Sequence, residues 1–476
     1  MTGRLALPNG RSGRDRLVAG TLFSVPATGS RQRHGPHRTE YRVARRAPLS
    51  RLKIASASRD RIWLESRGNE EETNLRTTIR LVALVGAASI ALAACSGSAA
   101  TPAPTQAPAA TAAPAATPAP TEAPAATPAP TPAPPQSDLK IGVVTDIGTL
   151  NDKGYNEYSF KGAEAGAAAI GAPAPQSIVP KDPSEYAADI QSFVGQNYNV
   201  IVTVGFNLTG DTVKAAKANP NINFVGVDQS PACVTPEGDP DTNFECKGDA
   251  KTLLPNYTSL YFAEDQAGYL AGIVAASASK NNSIGAIGGT TLCAPCVRYI
   301  QGYELGAKSV KPDIKVSSAY VTNDFSAAAF NDPAGGKAFA TTFINANKPD
   351  VLFQVAGKTG NGVLQAACAA KIYGIGVDVD QWVSIGAPDN SCIITSAEKH
   401  VQTAVSDAVV GIAGKTLAAG DVLYNAANDG IGVSNFHDAA SMFGPEVQAA
   451  LDKALAGMKD GSLQTCPAEG CGVYSK

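Results

Sequence analysis

Histidine is scarce in this chain. There are four in 476 residues, and downstream of Cys95 only His400 and His437 remain. Histidine is the usual carrier of protons near neutral pH, and no alternative acid/base pair is evident, so general acid/base catalysis is not expected. A zinc site is equally short of donors. Cys293-Ala-Pro-Cys296 is one close cysteine pair, but no second pair of that spacing follows to complete four ligands. Positive charge is missing from most of the chain: residues 95–476 carry a net −13 and no basic stripe. Nucleic acid and anionic membrane surface are therefore poor partners. The apolar stretch Leu81–Ala94 is 14 residues long, about 21 Å as a helix and too short to span a bilayer core. Gly357-Lys-Thr-Gly-Asn-Gly362 has the composition of a phosphate loop but not its spacing, so ATP binding is not expected.

The N-terminal 137 residues divide by composition. Residues 1–75 hold 14 Arg and one Lys against seven acids and show no periodicity. They read as an unexplained extension, with the expected translation start near Leu75. Arg76 and Arg80 precede the apolar stretch, which closes on Leu92-Ala-Ala-Cys95. A basic flank, an apolar run and small residues form a secretory signal peptide. The last four residues look like a bacterial lipobox. Residues 76–95 are thus expected to be a lipoprotein signal, with Cys95 lipidated and holding an extracytoplasmic protein on the bacterial membrane. Residues 96–137 contain 12 Pro among Ala and Thr, with Glu122 as the one charge. Such a sequence cannot bury a core and favours extended polyproline conformations, which makes it a semi-rigid spacer.

Without Cys95, eight cysteines remain, an even number that suits an exported protein. They are closest in sequence as Cys233 with Cys246, Cys293 with Cys296, Cys368 with Cys392, and Cys466 with Cys471. Eight cysteines allow about 105 pairings, so neighbour pairing is an expectation and not a deduction. For Cys293 and Cys296, a structural disulfide, a redox pair and half a zinc site remain open.

Residues 138–476 alternate short Val/Ile runs with Ala-rich helical stretches. Strands are expected at Leu139–Thr145, Val200–Val204, Phe224–Asp228, Tyr257–Phe262, Ile284–Ile287, Val316–Val321, Val351–Val355 and Tyr373–Val377, with helices at about Tyr155–Ile170 and Thr212–Ala218. This pattern implies parallel sheets covered on both faces, a doubly wound α/β architecture with ligands at the carboxyl ends of the strands. Val225-Gly-Val-Asp228 returns as Ile375-Gly-Val-Asp378, each ending a strand. Two such lobes joined by a hinge would bind by closing on a ligand. The expected division is 138–258 with about 382–425 in lobe 1, and 259–381 with about 426–476 in lobe 2.

Five segments carry a more specific likeness. They are Thr145–Asn156 (Thr-Asp-Ile-Gly-Thr-Leu-Asn-Asp-Lys-Gly-Tyr-Asn), Phe262–Gly272, Ile287-Gly-Gly with Val297–Gly306, Phe353–Gly362 running on to Gly376–Gln381, and Thr395–Lys399. In this order they resemble the basic membrane protein (PnrA-like) family of solute-binding lipoproteins. The resemblance implies two Rossmann-like lobes of the type I periplasmic-binding-protein kind, a nucleoside ligand, purine by expectation, and delivery to an ABC transporter permease. It implies no cofactor, no metal and no catalytic residue in what is expected to be a monomer. Matching motifs imply polar base contacts from Asp146 and Asp228. Tyr155, standing where the family usually has Phe, would stack on the base with Phe330, and Phe325 is a nearby alternative. Gly357 would present backbone, Asp378 and Lys399 would meet ribose hydroxyls, and Asn151 and Asn156 are secondary candidates. A sensory receptor using the same pocket, or a nucleoside hydrolase, are the competing readings.

Overall fold

The computed structural model describes residues 136–229, 233–241, 245–468 and 470–472. The extension, the signal segment, Cys95 and nearly all of the spacer lie outside them. In chain order the elements are β1 (Ile141–Val144), α1 (Tyr155–Ala169), β2 (Gln176–Ile178), α2 (Tyr186–Gly195), β3 (Val200–Val204), α3 (Thr209–Ala218), β4 (Asn223–Val227), α4 (Ala250–Leu253) and β5 (Tyr257–Phe262). Then come α5 (Glu264–Ala278), β6 (Ser283–Thr290), α6 (Ala294–Val310), β7 (Lys315–Thr322), α7 (Ala327–Phe330), α8 (Pro333–Asn347), β8 (Val351–Val355), α9 (Gly357–Ala369), β9 (Tyr373–Asp378), α10 (Gln381–Ile385) and β10 (Ile393–Lys399). The chain finishes with α11 (Val401–Ala413), β11 (Gly420–Tyr424), β12 (Ile431–Val433) and α12 (Pro445–Lys459).

The strands form two six-stranded sheets, ordered β11-β5-β4-β3-β1-β2 and β12-β10-β9-β8-β6-β7. Every pairing is parallel except β10 with β12. Central strands such as β3 and β8 are buried along their whole length, which is why they read as unbroken apolar runs. Each sheet has a helix-covered core, so the doubly wound two-lobed expectation holds.

The lobe boundaries differ from those expected. β5 pairs with β4 from Phe224 opposite Tyr257 to Val227 opposite Leu260, which keeps residues 257–262 in the first lobe. β10 pairs with β9, so residues 393–399 belong to the second lobe and not the first. The chain therefore crosses between lobes at 262–264, at 399–401 and between β11 and β12. β10 escaped the sequence reading because Ile393-Ile-Thr-Ser-Ala-Glu-Lys399 is half polar. β2, β11 and β12 are short and lie at the edge of a sheet, where no long apolar run is required.

Helix α5 is buried on nearly every side, 13 of its 15 residues being shielded. It lies against α6 at a separation that only glycine permits. A Cβ on Gly302 or Gly306 of α6 would collide with the carbonyls of Asp265 or Tyr269, and one on Gly268 or Gly272 with those of Tyr299 or Tyr303. This contact sets the positions of Tyr299, which lines the site described below, and of Glu264 behind it. Gly302→Ala should push the helices apart at a cost of about 1–3 kcal/mol, seen as a lower melting temperature. An unchanged melting temperature would contradict the packing.

Cys233 is bonded to Cys246, Cys293 to Cys296, Cys368 to Cys392 and Cys466 to Cys471. The Cys293–Cys296 bridge opens α6, where Cys293 Sγ accepts the Cys296 N–H. Among the described residues no helix is long and apolar enough to cross a membrane.

Candidate functional site

A cavity lies where the carboxyl ends of the two sheets face each other. Asp146 follows β1, Phe206 follows β3, Asp228 follows β4, Gly357 follows β8, and Asp378 and Lys399 end β9 and β10; all of them line it. Ligands are expected at this place in a doubly wound fold.

The two copies of the Gly-Val-Asp sequence end in the same way. Asp228 and Asp378 both adopt left-handed backbone, with φ of 60° and 66°. That conformation is uncommon for a residue other than glycine, and Asp and Asn tolerate it best. Each carboxylate turns toward Lys399, whose Nζ lies 2.6 Å from Asp228 Oδ2, 3.5 Å from Asp378 Oδ1 and 3.7 Å from Glu264 Oε1. Arg298 Nε holds the other oxygen of Glu264 at 2.6 Å. Two cations thus meet three carboxylates; the carboxylates and Lys399 are buried and Arg298 is half-buried. Asp228 and Asn156 both line the cavity. Among the described residues, Asp228 Oδ1 and Asn156 Oδ1 are buried with no hydrogen-bond donor, an arrangement that a donor on a ligand would relieve.

Burial pushes Asp228 up to about 6, Glu264 adding to the rise and the Lys399 ammonium opposing it. Asp378 is raised for the same leading reason. Lys399 stays protonated, because the charges of Asp228, Asp378 and Glu264 outweigh its desolvation. These values fix a pH dependence. As pH falls through about 6, Asp228 takes up a proton and loses acceptor capacity, so ligand affinity should weaken by up to about tenfold per pH unit. The sign for stability is opposite. A folded-state value above the ordinary 3.8 means that the stabilising contribution is present at low pH and lost as pH rises through about 6. Titrations at pH 5 and 7.5 should therefore show weaker binding at pH 5 without acid-induced unfolding from this group. Equal affinity at both values would contradict the assignment.

Aromatic groups form the walls. The Tyr155 ring lies 4.7 Å from Lys399 Nζ, within cation–π range. Its hydroxyl, the addition relative to Phe, donates to the Val227 carbonyl at 3.2 Å. Phe330, at the end of α7, is wedged against Gly289 and Gly357. Gly357 has φ of 51°, so it brings backbone to the cavity where a side chain would be strained. Phe325 does not line the cavity; it packs on Phe206 with ring centroids 5.3 Å apart. Asp146 accepts from the Tyr186 hydroxyl, from the Ile147 N–H at 2.7 Å and from Asn207 Nδ2 at 3.5 Å, and burial raises it.

The cavity gathers eight of the nine expected residues: Asp146, Tyr155, Asn156, Asp228, Phe330, Gly357, Asp378 and Lys399. Asn151 is the exception. It is exposed and lies outside the lining, because the loop instead turns Asp152 inward to accept the N–H groups of Gly154, Asn156 and Glu157 at the start of α1. Asp152, Phe206 and Tyr299 also line the cavity, and Glu264 and Arg298 lie behind it, none of them expected from the sequence. Tyr299 donates to Asp378 Oδ1 at 3.3 Å. Glu264, Arg298 and Tyr299 all sat within the quoted motifs, so a signal for them was present. Phe206 had none. The Cys293–Cys296 bridge also reaches the cavity wall, a placement not foreseen.

Two parallel-sheet lobes joined by three crossings, with a charged and aromatic cavity between them, define a solute-binding protein. The chain belongs to the Bmp family, described as ABC transporter substrate-binding protein PnrA-like, whose pattern matches residues 139–455. A protein of Lactococcus lactis described as the ABC transporter nucleoside-binding protein BmpA is 33% identical over 352 residues, covering 69% of this chain and 89% of that protein. Basic membrane protein D of Borreliella burgdorferi is 30% identical over 267 residues, covering 55% and 68% respectively. The fold is shared with solute-binding proteins of ABC transporter systems from Aeropyrum pernix (TM-score 0.57, 20% identity, covering 68% of this chain and 92% of that one) and Conexibacter woesei (TM-score 0.53, 21% identity, covering 68% and 98%).

Proposed function

We propose that this chain is a lipid-anchored, monomeric extracytoplasmic receptor that captures a purine nucleoside between its lobes and hands it to an ABC importer. The observation that carries the reading is the Asp228–Lys399–Asp378 cluster in a cavity that the rings of Tyr155 and Phe330 also line. A ribose presents vicinal hydroxyls that can both donate and accept. Asp378 supplies the acceptor and Lys399 the donor, and charge-assisted bonds of this kind are the stronger class. A flat base fits between aromatic faces, each stacked contact contributing about 1–3 kcal/mol. Asp146, Asp228 and Asn156 then accept from base N–H groups. The relative in Lactococcus lactis, described as nucleoside-binding, supports the same ligand class.

Calorimetric titration of the purified protein with nucleosides, free bases and pentoses tests this reading. Purine nucleosides should bind at least about 100-fold more tightly than either half alone, and Phe330→Ala should weaken them about 5- to 100-fold. Tight binding of a pentose with silence toward nucleosides would overturn it. The anchoring claim is tested by Cys95→Ser, which should release the protein from the membrane fraction and abolish fatty-acid labelling.

A further inference from the structure

We propose that Asn361, Gln381 and Ser384 are positioning residues that latch the lobes shut by reading two backbone carbonyls, and so set how long a ligand stays bound. The inference rests on the ligand-capture reading above, although the contacts themselves contain no ligand. The loop before α1 belongs to the first lobe, while α9 and α10 belong to the second. Across the gap, Asn361 Nδ2 donates to the Asp152 carbonyl at 2.8 Å. Ser384 Oγ and Gln381 Nε2 donate to the Lys153 carbonyl at 2.7 and 3.4 Å. Lys153 is held in left-handed backbone, φ 62°, which turns this carbonyl toward the second lobe.

Both sides of the latch are built beforehand. Gln381 is 1% exposed; its Oε1 accepts from Val377 N and Gln354 Nε2 at 3.0 and 2.5 Å, and its Nε2 also donates to Asn361 Oδ1 at 3.1 Å. On the other side, the Asp152 carboxylate gathers the N–H groups of Gly154, Asn156 and Glu157, so residues 152–157 move as one unit. That unit carries Tyr155 and Asn156 into the cavity, whereas Asn361, Gln381 and Ser384 do not line it. Closing the latch therefore brings the ligand-facing side chains into place, and opening it withdraws them. Contacts made only in the closed form slow dissociation and leave the encounter rate alone.

The test combines Asn361→Asp, which replaces the donor with an acceptor against a carbonyl, and Ser384→Ala in the full chain. Without ligand, amide hydrogen exchange of residues 149–157 should accelerate at least about fivefold, with exchange elsewhere unchanged. With inosine as probe, koff should rise about 10- to 100-fold, the loss of two hydrogen bonds, with kon within about threefold. Ser384→Thr, which keeps the hydroxyl, should restore most of the Ser384→Ala effect. Unchanged exchange at 149–157, or a fall in kon with koff unaltered, would overturn the latch. So would acceleration spread over the whole protein, because it would indicate a merely structural role. If no nucleoside binds the unaltered protein, the ligand reading fails, and the exchange measurement still decides the latch.

Discussion

Lys399→Met is expected to lower stability by about 3–5 kcal/mol and to abolish ligand binding. The side chain is 3% exposed, and among the described residues it is the only Lys or Arg paired with both Asp228 and Asp378. Its removal leaves those two carboxylates buried without their ion-pair partner, the ion pair of Arg298 being with Glu264. Breaking a buried ion pair from one side costs this much because the remaining charge has neither water nor a partner. The melting temperature should fall by on the order of 10 °C. The deficit should shrink on acidification, since burial already raises both carboxyls and protonation removes the repulsion. Lys399→Arg, which keeps the charge, should recover most of the stability but not the ligand geometry. Thermal denaturation at pH 5 and 7.5 checks both statements. A melting temperature within about two degrees of the parent at pH 7.5 would contradict the role given to Lys399.

Asp378→Asn is expected to separate binding from folding. Asparagine tolerates the left-handed backbone that this position requires, and its carbonyl can still accept from the Tyr299 hydroxyl. The fold should therefore hold, with a melting temperature close to that of the parent or higher, since one of three buried carboxylates has been neutralised. Affinity should fall about 5- to 15-fold, because bonds to a charged acceptor contribute about 1.5–3 kcal/mol and the neutral amide still supplies about 0.5–1.5 kcal/mol. Asp378→Ala is less informative, since it adds backbone strain to the lost contact. Calorimetry with the tightest-binding nucleoside, beside a thermal melt, decides the matter. Unchanged affinity would remove Asp378 from the ligand.

The central strands were legible because burial on both faces demands apolar runs. Val200–Val204, Tyr257–Phe262 and Val351–Val355 were read to the residue. β10 was not, since Thr395, Ser396 and Lys399 serve other ends: Ser396 Oγ receives the Gln381 N–H, and Lys399 holds the charged cluster. Missing that strand moved the lobe boundary and hid the fact that Glu264 and Lys399 sit on two of the three crossings. Asp146, Asp228, Asp378 and Lys399 were legible through motif likeness, two of them also through the repeated Gly-Val-Asp, whereas Asp152, Glu264 and Arg298 were not. Asn151 failed because neighbouring residues in a loop can face opposite ways, and only the cap at Asp152 settles which one turns inward. Phe206 follows an ordinary buried strand with no local pattern, so its place in the cavity wall depends on the packing of the lobes.

The most direct measurement is a crystal structure of the protein with a bound purine nucleoside. The base should lie between Tyr155 and Phe330, with the ribose hydroxyls within hydrogen-bond distance of the Asp378 carboxylate and the Lys399 ammonium. A nucleoside found elsewhere, or one lying in the cavity with its ribose away from both groups, would contradict this placement.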